Sequence, residues 1–154
     1  MMNTLHAYLA GDHRACDDEY GWAESRVVCG DWPNAVQAFD GFTRHLAHHM
    51  DQEEQILFPA IERATGNTLG ATAVMRTEHR HMRQLLRSMT QAIAARDADT
   101  FFAFADSLRM LTHQHNLKEE AVLYPMAERL FGDGTGDLLA RIRRHDEELA
   151  GAES

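Results

Sequence analysis

Six side chains able to bind a metal recur in two matching sets. His13, His49 and Glu53 return as His79, His115 and Glu119, each 66 residues from its counterpart. Their neighbours travel with them: Asp12-His13-Arg14 matches Glu78-His79-Arg80, and the run from His49 through Glu53-Glu54 to Pro59 matches His115 through Glu119-Glu120 to Pro125. Positions four apart on an α-helix share a face, about 6 Å apart along its axis. Each His-x-x-x-Glu pair therefore aims an imidazole and a carboxylate at one space. A duplicated fold would keep its apolar periodicity. Keeping the histidines and carboxylates as well points to a two-fold site in which each half supplies the same groups.

Steps of three and four place these groups on inward stripes. The stripes read Leu9, His13, Cys16, Tyr20; Phe42, Leu46, His49, Glu53, Ile56, Ala60; Met75, His79, Met82, Leu86; and Leu108, Thr112, His115, Glu119, Val122, Met126. The alternative to a metal is a buried polar network. However, no Lys or Arg lies on the stripes to neutralise two buried carboxylates, whereas two divalent cations would. Nitrogen and carboxylate ligands suit iron, manganese or zinc, and cysteines outside the set exclude an iron–sulfur or cysteine-rich zinc site. Two imidazoles per metal, with carboxylates free to bridge, leave positions open for an exogenous molecule such as dioxygen.

The same stepping turns the other histidines away. His81 and His113 lie two positions from their stripes, His48 is adjacent to His49, and His6 and His145 are expected at the surface. His45, Tyr20 and Cys16 are candidates to support the site from behind. His45 sits four before His49, and its counterpart is Leu111. Glu54 and Glu120 either face solvent or orient a neighbouring histidine. The methionines at 75, 82, 89, 110 and 126 read as core filler.

Four long helices must position the six groups. They span about Asn3 to Val27, Pro33 to Ala64, Thr68 to Arg96, and a segment capped by Asp99 or Thr100 that ends at Gly132. A short, charged, peripheral helix follows around Asp137 to Ala150. Short connections make antiparallel neighbours, so the fold class is all-α: an up-down-up-down antiparallel four-helix bundle with a short C-terminal helix. The 154 residues form a single domain, bundle about 3–131 and extension 132–154. Pro59 and Pro125 lie inside their helices, where matched kinks or early ends are expected. A net charge of −9 argues against nucleic acid or an anionic membrane as partner. No apolar run approaches the roughly 20 residues of a membrane span. With no signal-peptide layout either, the expected location is cytoplasmic, with Cys16 and Cys29 reduced.

Ferritin-like di-iron bundles pair Glu-x-x-His with lone glutamates; here the order is His-x-x-x-Glu with lone histidines. On His13, His49-x-x-x-Glu53-Glu54-x-x-Leu-Phe-Pro59, Glu78-His79 and His115-x-x-x-Glu119-Glu120-x-x-Leu-Tyr-Pro125, the chain resembles the hemerythrin-like, or HHE cation-binding, domain family. The resemblance implies a non-haem, oxo- or hydroxo-bridged pair of iron ions, with His13, His49, His79 and His115 as terminal ligands and Glu53 and Glu119 as bridges. Manganese or zinc are possible substitutes. Oxygen-carrying hemerythrins have a fifth histidine on the third helix, where this chain has Met75 and Arg83 flanking His79. Four histidines and two glutamates look closer to proteins that repair iron centres damaged by nitric oxide or oxidants. The resulting expectation is a protein that binds or senses O2, nitric oxide or iron, in a stress response, rather than an enzyme. The alternatives are an iron donor to an iron-accepting protein partner, and a di-iron peroxidase or nitric oxide reductase acting on peroxide or nitric oxide. A zinc hydrolase is more distant.

Overall fold

A computed structural model describes residues 4–153, and no strand occurs among them. Helix α1 spans Leu5–Val28 and opens on Thr4, whose hydroxyl accepts the Ala7 N–H at 3.0 Å. Helix α2 covers 32–65, with Pro33 in its first turn, and stops at Gly66, whose φ of 66° is a left-handed conformation open to glycine. Helix α3 is Ala71–Ala94, α4 covers 98–131, and α5 is Thr135–Glu153. The cap of α4 is Asp97 rather than Asp99 or Thr100: its carboxylate accepts the Thr100 N–H at 3.1 Å and hydroxyl at 2.6 Å. Helix α1 packs on α2 and α3 on α4, while α2–α3 and α1–α4 contacts close the bundle.

The two internal prolines do not end their helices. A proline has no N–H to give and clashes with the carbonyl four residues back. Here a wider turn precedes each one. Residues Glu53–Leu57 and Glu119–Leu123 form π-helical turns, in which the Phe58 and Tyr124 N–H groups donate to the Glu53 and Glu119 carbonyls. Such turns cluster at functional sites. They also shift the helix face by one residue, about 100°. Val122, expected on the inward stripe of α4, is 54% exposed, and Leu123 and Tyr124 are buried in its place.

The core has two apolar parts with the ligand layer between them. Cys16, Leu46, Met82 and Leu108 belong to one part; Leu9, Ile56, Met75 and Leu123 belong to the other. The C-terminal helix α5 is not peripheral: Leu138, Leu139 and Ile142 are buried in the second part. Of the methionines expected inside, Met110 is exposed.

Candidate metal centre

All six predicted groups meet in the middle of the bundle, each at most 4% exposed. Their Nε2 atoms face inward in pairs, His13 to His49 at 3.1 Å and His79 to His115 at 3.1 Å. Behind the rings stands a ring of carboxylates. Asp12 lies 3.2 Å from His49 Nδ1, Glu78 2.9 Å from His115 Nδ1, Glu120 2.9 Å from His13 Nδ1, and Glu54 3.6 Å from His79 Nδ1. Each acid favours a proton on Nδ1 and so leaves the Nε2 lone pair turned inward. Glu54 stands near His79 but spends its hydrogen bonds on Arg83, whereas Glu120 orients His13 rather than simply facing solvent. Asp12 and Glu78, the residues just before the lone histidines, do the same across to the next helix.

The inward face then holds lone pairs against lone pairs. Glu53 Oε1 lies 3.2 Å from His79 Nε2 and 3.5 Å from His49 Nε2, and Glu119 Oε2 lies 3.2 Å from His115 Nε2. Neither oxygen has a hydrogen-bond donor, although both are buried. Burial and the charge of Glu119 push the Glu53 carboxyl up. Burial alone would lower the His79 imidazole, but its contacts with Glu53 and Glu54 carry it up to about 9. Without a cation the layer must hold extra protons; with one, the orphaned oxygens and paired nitrogens become its ligands. The donor set therefore fits metal. Two clusters are compact enough to hold an ion: Glu53, His79, His115 and Glu119, and His13, His49 and Glu119, with Glu119 common to both.

Sequence reasoning missed Tyr124. Its hydroxyl donates to Glu53 Oε2 at 2.7 Å and lies 3.0 Å from Glu119 Oε1 and 3.2 Å from His13 Nε2. On a straight α-helix it would stand about 140° from Glu119, since five steps of about 100° overshoot one turn; the π-turn brings it in. One sign in the sequence was the mismatch of Tyr124 with Phe58 across the repeat. The two rings play matching parts, Tyr124 stacking on His13 and Phe58 on His79.

His45 reaches the site through Asp12: Asp12 Oδ1 is 3.4 Å from its Nε2, and Glu19 contacts its Nδ1. Asp12, followed by Cys16 and Glu19, raises the His45 imidazole to about 11, so it is charged at neutral pH. Cys16 is buried beside His45, and burial pushes its thiol up. Tyr20 is buried against Phe42, and its hydroxyl makes no hydrogen bond to any of the six groups. His81 and His113 are exposed as expected. His6 and His145 are instead half-buried: His6 sets its ring against Tyr124, and His145 stacks on His48. His48 itself, with Gln52 and Tyr8, holds Asp146 of α5.

The Hemerythrin HHE cation binding domain family matches residues 4–127 and, a second time, residues 70–152. The chain belongs to that family, and with its buried His/Glu cluster it is a metal-binding helical domain. The second match starts 66 residues after the first, the same offset as the internal repeat. No curated protein and no solved structure matches the chain. Among the described residues, no helix is long and apolar enough to cross a membrane.

Proposed function

We propose that the chain holds a pair of iron ions in this layer and uses their open positions to bind a small ligand, O2 or nitric oxide. The observation behind this reading is the convergence of four Nε2 lone pairs on two buried carboxylates whose Oε1 (Glu53) and Oε2 (Glu119) atoms have no donor. His13 and His49 would hold one ion and His79 and His115 the other, with Glu119 and Glu53 between them. Bound iron would supply reversible one-electron chemistry and an affinity for diatomic molecules.

The protein's own residues do the rest. Asp12, Glu78 and Glu120 fix three of the imidazoles. Tyr124 presents a hydroxyl inside the layer, able to hydrogen-bond a ligand or to hold a proton. The two apolar core parts exclude water above and below. The repeated ligand set accounts for two ions better than one, and nitrogen-rich donors favour iron over magnesium or calcium.

The test is a metal count with visible spectra of the purified protein, reduced and in air. The expected result is about two irons per chain, with the absorption bands of a coupled ferric pair that change on exposure to nitric oxide. Absence of iron, or about one metal per chain, would overturn the reading.

A further inference from the structure

The His13 half of the centre opens to a cavity of about 670 Å³. It lies between α1 and α4 and runs from solvent to His13. Its floor is apolar, built by Cys16, Phe42, Leu46 and Leu108. Two hydroxyls on its wall, Tyr20 Oη and Thr112 Oγ1, are buried and form no hydrogen bond. Tyr20 is 9% exposed, and burial followed by the nearby Glu24 pushes its phenol up, so it stays a neutral donor.

The repeat explains why the cavity lies on this side. The equivalent groove runs between α3 and α2 beside His79. There Met82 stands in place of Cys16, Met50 in place of Asn116 and Leu46 in place of Thr112. Arg83 replaces Asp17 and lies across to Glu54 at 2.6 Å and Asp51 at 3.0 Å. At these positions the His13 half thus carries small and acidic residues, and the His79 half carries two buried methionines and an ion-paired arginine.

The space is far larger than a diatomic molecule needs and falls in the range of small-molecule sites, roughly 300–1,000 Å³. The rim carries Arg14 and Arg109 against Asp17, Glu24, Asp106 and Glu120. An anion would meet that acidic excess, and a cation would have to leave it for an apolar floor. We propose that this cavity binds an uncharged, largely apolar organic molecule carrying one hydroxyl or carbonyl group, seated beside His13 and hydrogen-bonded by Tyr20 and Thr112. This site depends on the cavity and not on the binding of O2 or nitric oxide.

Calorimetric titration of the protein as purified, with 2-naphthol as the uncharged probe and 2-naphthoate as its anionic match, tests the assignment. Saturable one-site binding of 2-naphthol is expected, with 2-naphthoate weaker by about tenfold or more, the effect of roughly one unpaired polar group. Cys16→Met and Thr112→Leu copy or approach the filled half and should each weaken 2-naphthol about tenfold while metal content, counted separately, is unchanged. Thr112 is only partly buried, so its variant keeps the test decisive if Cys16→Met fails to fold. No saturable binding up to about 1 mM, undiminished affinity in Thr112→Leu, or equal affinity for 2-naphthoate would overturn the proposal.

Discussion

His13, His49 and His115 are each held from two sides, by a carboxylate hydrogen-bonded at Nδ1 and by the crowd of acceptors at Nε2, and His79 has Glu54 nearby at 3.6 Å. That arrangement makes the two glutamates unequal. Glu119 belongs to both clusters, whereas Glu53 belongs to the His79–His115 cluster. Glu119→Ala should therefore leave less than one metal per chain and Glu53→Ala should lose the paired site, with His81→Ala unchanged; elemental analysis of the three variants decides. Full metal loading in either glutamate variant would remove these carboxylates from the ligand set. His45 offers a second expectation. Asp12, Cys16 and Glu19 raise its folded-state value from 6.5 to about 11. A raised value stabilises the fold fully below pH 6.5, and the contribution is lost as pH climbs towards 11. The stability advantage of the protein over His45→Gln should shrink across that window, and the His45 ring resonances should show a charged imidazole at pH 8. An imidazole titrating near 6.5 would contradict it.

Among the elements, the π-turns decided how much could be read in advance. The four histidines lie before the π-turns or on unbroken helices, and Glu53 and Glu119 are the first residues of those turns, so steps of three and four still placed all six on the inward stripes. Beyond Glu119 the same steps chose Val122 and passed over Tyr124, because periodicity has no marker for an inserted residue. Pro125 was the available marker; its missing N–H pointed to a local fault, which here is a wider turn. The last helix was misjudged for another reason. Its charged composition suggested the surface, but three apolar residues on one face are enough to dock it, and the acceptor Asp146 ties it to Gln52 and His48. Ile142 is fully buried. Ile142→Ala should cost about 2–5 kcal/mol in chemical unfolding, the usual range for such a truncation. A loss below about 0.5 kcal/mol would mean that the helix adds little to the fold.

At the scale of the molecule, the centre couples two apolar ends that share no core. Removing bound metal should lower the stability of the whole chain rather than loosen one loop. A ligand present at about a thousand times its dissociation constant stabilises by roughly 4 kcal/mol. Thermal unfolding with and without a chelator should show a drop of that order, and an unchanged midpoint would argue that nothing binds in the layer. The layer also sets an order of assembly. Cys16, Leu46, Met82 and Leu108 on one side, and Leu9, Ile56, Met75 and Leu123 on the other, can collapse without settling the charges between them. In amide-exchange terms, the metal-free chain should protect both ends and leave the turns around His49–Glu53 and His115–Glu119 to open locally. The metal-free chain would then be firm at its two ends and loosest in its middle, where a bound metal would close the last gap.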